Sequence, residues 1–109
     1  MTISISGTNG LLEAYDYLVP TTAFAYTFAA GIQNLVMNPA GTLAAGTITM
    51  PASPADGMTI RFSTSQAITA LVVAANTGQS IVSAVTTLAA GGGAVYIYRL
   101  SNTTWYRTV

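Results

Sequence analysis

Six side chains in this sequence carry charge: Glu13, Asp16, Asp56, Arg61, Arg99 and Arg107. Chemistry at neutral pH has to start from these, because the chain has no Lys, no His and no Cys. Structural zinc and iron–sulfur centres need Cys or His ligands. Imidazole acid–base catalysis is excluded, and three carboxylates remain for any other proton transfer. Glu13 and Asp16 stand three residues apart and would share one face of a helix. Two carboxylates so placed hold a divalent cation weakly, since calcium takes about six to eight oxygens. The pair therefore reads as a solvated face, and the expectation is no catalytic residue, no cofactor and no metal.

Two short motifs lose on context. Gly91-Gly92-Gly93 lacks the following Lys and Ser/Thr of a phosphate-binding loop, so it reads as a flexible lead into a strand. Asn102-Thr103-Thr104 matches the glycosylation sequon but falls between two strand-like runs, where it reads as a turn. Tyr15, Tyr17, Tyr26 and the C-terminal aromatics have the makings of a sugar platform. No cluster of Asp, Asn or His accompanies them, and core or subunit packing is the better reading.

The three Arg are too few and too scattered to bind nucleic acid, whose affinity comes from cations on phosphates. Each falls in an expected strand. Facing outward, Arg61, Arg99 and Arg107 would either bond a partner's carboxylates and carbonyls through their planar forks or protect sheet edges by charge.

The elements that must position these residues are strands. Residues 2–6 (TISIS) alternate polar and apolar before Gly7 and Asn9-Gly10. Residues 58–63 (MTIRFS) put Met58, Ile60 and Phe62 on one face and Thr59, Arg61 and Ser63 on the other. They follow a Pro-rich loop in which Asp56-Gly57 suits positions needing φ > 0. Residues 68–75 form a continuous apolar run that reads as a strand covered on both faces, and residues 80–84 (SIVSA) read as a shorter one. Residues 94–100 (AVYIYRL) and 104–109 (TWYRTV) flank a three-residue gap, which suits a hairpin. Tyr96, Tyr98, Trp105 and Tyr106 fall together there, with cross-strand aromatic packing expected.

The middle is less regular. Residues 11–18 (LLEAYDYL) suit one or two helical turns, and residues 23–30 suit helix or strand, with Thr27 and Phe28 beside Gly31 leaning towards strand. The pentapeptide TLAAG occurs at 42–46 and again at 87–91, each time before a strand (47–50 and 94–100). This suggests two similar loops entering equivalent strands. Seven or eight short strands at about ten-residue spacing predict an all-β fold, a single β-sandwich or jelly-roll-like domain. Residues 1–12 would be an N-terminal strand or arm and residues 13–109 the sandwich domain.

The 109 residues amount to one domain. Hydrophobic residues make up 51% and charged residues 6%, against roughly 25% charged in an average soluble domain. Net charge is zero. A domain of this size leaves about a third of its unfolded surface exposed when folded, so much of that surface must be apolar. Such exposure marks an interface, and the composition predicts an oligomer or a part of a larger assembly. A membrane span needs about 20 apolar residues, and the most apolar run, residues 67–75, has nine with a Thr inside it. The first seven residues carry no basic segment or cleavage site, so the expectation is synthesis in the cytoplasm without processing and no membrane partner.

At this point the sequence resembles the structural proteins of tailed bacteriophages. The opening MTISISGTNG looks like the N-terminal segment of phage fibre and virion proteins. PADGMTIRF, followed by ITALVVAANTGQSIV, TTLAAGGGAVYIYR and NTTWYRTV, looks like a C-terminal β module of such proteins. Together these cover about two thirds of the chain; residues 11–50 carry no part of the likeness. The resemblance implies a virion setting and supplies no site residues. Small apolar virion proteins of this kind are commonly capsid decoration (cement) proteins, β-rich homotrimers at lattice points of the head. It therefore implies a homotrimer that binds the major capsid protein on the capsid surface. A trimeric tail-fibre or spike module meeting the host surface is the alternative, and fibre chains are usually longer. The interface residues expected on these grounds are Ile3, Ile5, Arg61, Tyr96, Tyr98, Arg99, Trp105 and Arg107, with Tyr96, Tyr98 and Trp105 as buried anchors.

Overall fold

A computed structural model describes residues 3–6 and 10–108, with residues 3–6 and 10–13 described by their backbone pairing. The chain is all-β. Eleven strands fall among the described residues: β1 Ile3–Ser6, β2 Gly10–Glu13, β3 Tyr15–Leu18, β4 Phe24–Thr27, β5 Asn34–Met37, β6 Gly46–Thr49, β7 Thr59–Thr64, β8 Leu71–Ala74, β9 Ser80–Val82, β10 Gly93–Arg99 and β11 Thr104–Arg107. A single 3-10 turn, Leu100–Asn102, joins the last two.

Three chain segments stack as parallel rungs. β3, β5 and β7 lie side by side in one sheet, and β4, β6 and β8 in another. Tyr15, Asn34 and Arg61 fall in one line across the first sheet. Phe24, Gly46 and Leu71 fall in one line across the second. The intervals between stacked residues are unequal, so no fixed period marks the rungs in the sequence. The larger sheet continues through β10, antiparallel to β7, then β11 and β9, giving the order β3-β5-β7-β10-β11-β9.

This is a solenoid-like arrangement. A jelly roll is built from antiparallel Greek keys, whereas five of the eight strand pairings among the described residues are parallel. Strand patterning alone does not distinguish the two, because both bury alternate side chains. The larger sheet contributes Leu35, Met37, Ile60 and Phe62 to the core, and the smaller contributes Ile48, Leu71 and Val73. Each fully buried side chain of this size is worth roughly 1.5–3 kcal/mol. That contact holds the rungs together.

Several local expectations change. Residues 11–18 form parts of β2 and β3 in place of helical turns, because β3 is held to β5 by a parallel ladder. Asp16 consequently does not share a helical face with Glu13. It occupies the inward line of the first rung, where Leu35 and Phe62 stand in the next two. The run 68–75 is covered on one face only: Leu71 and Val73 are buried, but Val72 is 56% exposed because nothing among the described residues covers the outside of its sheet. The two TLAAG segments do not precede equivalent strands. Leu43 and Leu88 instead bridge the same residue, Ile68, one in parallel and one in antiparallel sense.

Other expectations hold. Met58, Ile60 and Phe62 share the buried face of their strand. Gly57 adopts φ +78, as its loop requires. β10 and β11 form the C-terminal hairpin, with Tyr98 opposite Trp105 and their ring centroids 5.0 Å apart. Tyr96 stacks elsewhere, on Phe62 of β7, at 6.1 Å.

Corners are pinned by side chains. Asn38 donates to the Tyr17 hydroxyl at 2.8 Å and accepts from Ser65 at 2.6 Å, so one polar ladder ties all three rungs. Gln79 accepts from the Trp105 indole N–H at 2.8 Å and from the Asn76 amide, and donates to the Pro51 carbonyl. No helix is long and apolar enough to cross a membrane among the described residues.

Candidate docking surface

The outer face of the larger sheet gathers most of the exposed bulky apolar side chains. Register sorts its residues into rows. Tyr15, Asn34, Arg61 and Val95 form one, and Tyr17, Val36, Ser63 and Gly93 the next. Thr59, Ile97, Tyr106 and Val82 form a third. Tyr15 is 62% exposed and Tyr17 is 56% exposed, with Val36, Val82 and Ile97 also open to solvent. The period-two alternation that buries Leu35, Phe62 and Tyr96 places these residues outward.

The middle of the face is concave. A groove of about 380 Å³ crosses β5, β7 and β10, walled by Asn34, Val36, Arg61, Ser63, Gly93 and Val95. Glycine is required at its end: a Cβ on Gly93 would lie 2.3 Å from the Phe62 carbonyl oxygen. The groove therefore pairs an apolar floor with one guanidinium, one amide and one hydroxyl. It contains no carboxylate or nucleophile–base pair. Such a lining can hold an apolar partner and fix its orientation by hydrogen bonds.

The expected interface residues divide. Arg61 stands at the groove, and Arg99 lies on the same face at the far end of β10, exposed beside Asp56, Leu100 and Ser101. Asp56 accepts the Leu100 backbone N–H at 2.9 Å and so closes that turn. Arg107 pairs across from Tyr96 and therefore takes the opposite face, at the exposed end of β11. Tyr96, Tyr98 and Trp105 sit in the chain's own core, each at most 3% exposed. These aromatics are held within the fold: Tyr96 stacks on Phe62 and is hydrogen-bonded to Ser83 and Val85, Tyr98 packs on Trp105, and the Trp105 indole donates to Gln79. Ile3 and Ile5 lie on β1, and their side chains fall outside the described residues.

Asn34, Val36, Val82 and Ile97 were not singled out by the sequence. Tyr15 and Tyr17 carried the available signal, since they alternate with Asp16 and Leu18. Among the described residues no group of His, Cys, Asp and Glu is placed to hold a metal. Asp16 accepts a 2.5 Å hydrogen bond from the Tyr26 hydroxyl. Burial, and then the Asp16 carboxylate, push the Tyr26 hydroxyl well above its usual pKa. This polar pair closes the inner side of the first rung. No protein-family model matches the chain, and no curated protein matches it.

Proposed function

We propose that this protein is a structural component of a tailed-bacteriophage virion, a homotrimeric decoration protein that binds the assembled head and stabilises it. The observation that carries the reading is the exposed outer face of the larger sheet, where Tyr15, Tyr17, Val36, Val82 and Ile97 lie open in a chain with six charges. Apolar area of this kind is normally covered in the working state. The likeness of residues 1–10 and 54–109 to virion proteins supplies the setting.

The mechanism is mass action. A protein that binds the assembled shell and not its free subunits stabilises the shell by RT ln(1 + [L]/Kd) per site, about 2.7 kcal/mol at a hundredfold excess over Kd. Aromatic and β-branched side chains provide the contact area, and Arg61 and Arg99 orient it by bonding carboxylates or carbonyls of the capsid protein.

The test is the copy number of the chain in purified virions, measured by quantitative mass spectrometry against the major capsid protein. A ratio near that of the capsid protein, with a higher melting temperature of decorated heads, supports the reading. Absence from the particle ends it. A few copies per particle would favour the second reading, a tail-fibre or spike module. The observation on that side is the polar trio Asn34, Arg61 and Ser63 set around the groove's apolar floor, groups of the kind that hydrogen-bond a host glycan, and a glycan array tests it directly.

A further inference from the structure

We infer that the β1–β2 hairpin of one copy adds to the open edge of β3 in a neighbouring copy, so that the chain assembles through exchanged N-terminal strands. The inference rests on the oligomeric reading above and specifies the contact that builds it. Two incomplete elements motivate it. β1 and β2 form a two-stranded sheet that joins no other strand among the described residues, and an isolated two-stranded hairpin is marginal in water. β3 is the terminal strand of the larger sheet. The Ala14 and Leu18 carbonyls face β5, accepting from Gln33 at 3.5 Å and Asn38 at 2.8 Å. Residues of the other parity, Tyr15 and Tyr17, therefore direct their backbone groups to the edge where no described strand lies.

The chain cannot satisfy that edge with its own hairpin. Only Ala14 separates β2 from β3. An antiparallel return needs a turn of about two residues, and a parallel one a crossover of about a dozen. β1 lies alongside β2 with Ile3 opposite Glu13, so its register ends where β3 begins. The described pairing of the hairpin stops short of β3 and leaves the β3 edge uncovered.

Charge selects the hairpin over a second β3. Two β3 edges meeting antiparallel would set the Asp16 carboxylates of both copies on the same face across the seam, and like charges on facing strands are destabilising. β1 carries no charge. The corner where the hairpin departs is also incompletely satisfied. Gln33 is buried there, and its Oε1 has no hydrogen-bond partner among the described residues. Because hairpin and edge are different surfaces, one-way addition from copy to copy is heterologous and closes into a ring, such as the proposed trimer, where the rotation between copies allows it.

The test is sedimentation of the full chain, of a chain lacking residues 1–13, and of Ser4→Pro, which removes a strand N–H from β1. Circular dichroism and Trp105 fluorescence confirm that each variant is folded. The chain has no cysteine, so Ile5→Cys and Tyr17→Cys chains, mixed and treated with a short bis-maleimide, report contacts between copies alone. The expected result is an oligomeric full chain, folded monomers for the truncated and Ser4→Pro chains, and an Ile5–Tyr17 cross-link between copies. A monomeric full chain, or an oligomer unchanged by both variants, overturns strand exchange. Head binding measured on the same samples separates the two ideas. Heads decorated by a chain whose oligomer ignores the hairpin would end strand exchange and leave the decoration reading standing. A hairpin-dependent oligomer that never binds heads would do the reverse.

Discussion

Tyr96→Phe should destabilise the protein by about 2 kcal/mol although it removes a single oxygen. Tyr96 is fully buried and its ring stacks on Phe62. Its hydroxyl accepts the Val85 N–H at 2.9 Å and donates to the Ser83 carbonyl at 3.1 Å. These two bonds tie the segment after β9 to the core. Ser83 holds a positive φ of 59°, a backbone conformation unfavourable for residues other than glycine. Phenylalanine keeps the stacking but leaves a buried N–H without a partner, a loss of about 1–3 kcal/mol. Urea unfolding followed by Trp105 fluorescence should give a lower midpoint with an unchanged slope, and the melting temperature should fall by roughly 5–10 °C. Exchange of the Val85 amide should rise to match the weakened anchor. A loss below about 0.5 kcal/mol, with Val85 exchange unchanged, would refute the assignment of Tyr96 as the tether of this segment.

Other outcomes follow from the same geometry. Gly46→Val places a Cβ 2.0 Å from the Phe24 ring; a loss of about 1–3 kcal/mol is expected, with partial rescue in thermal melts by adding Phe24→Ala. Gln79→Leu strips the buried Trp105 N–H of its acceptor, and should cost about 2 kcal/mol and shift the emission of the sole tryptophan. For Tyr26 and Tyr96 the folded pKa lies above the usual 10.0, so the folded state keeps protons that the unfolded state releases. Stability is then intact below pH 10 and falls as pH rises past it, and urea titrations should show a shallower fall in Tyr26→Phe. Ile97→Lys on the outer face of the larger sheet should leave stability within about 0.5 kcal/mol but abolish head binding in a co-sedimentation assay. Val72→Lys on the smaller sheet should spare it.

The C-terminal half was legible because its signals are local. Alternation in residues 58–63 determines which side of β7 is buried whatever strand lies beside it. The Tyr- and Trp-rich segments around Ser101-Asn102-Thr103 favour strand on either side of a turn, and the Tyr98–Trp105 contact follows from hairpin register. Residues 11–18 misled because Leu11, Leu12, Tyr15 and Leu18 also fit a helical face. Their strand character comes from a ladder to β5, the next rung, whose paired residues lie 19 positions further along (Tyr15 with Asn34) and leave no mark in this segment.

By itself the sequence determined the class of the molecule: an all-β chain, without histidine, cysteine or lysine, whose apolar surface exceeds what one small domain can hide. Composition and period-two alternation are sums and nearest-neighbour properties, readable without knowing what touches what. Tertiary structure alone decided that the strands stack in parallel, that Tyr96, Tyr98 and Trp105 belong to the core, and that Tyr15, Tyr17, Val36, Val82 and Ile97 share one outer face. Those facts depend on pairings between residues distant along the chain. A strand's pattern states only that it has a buried side and an open one; its neighbours decide which surfaces the open sides join to make.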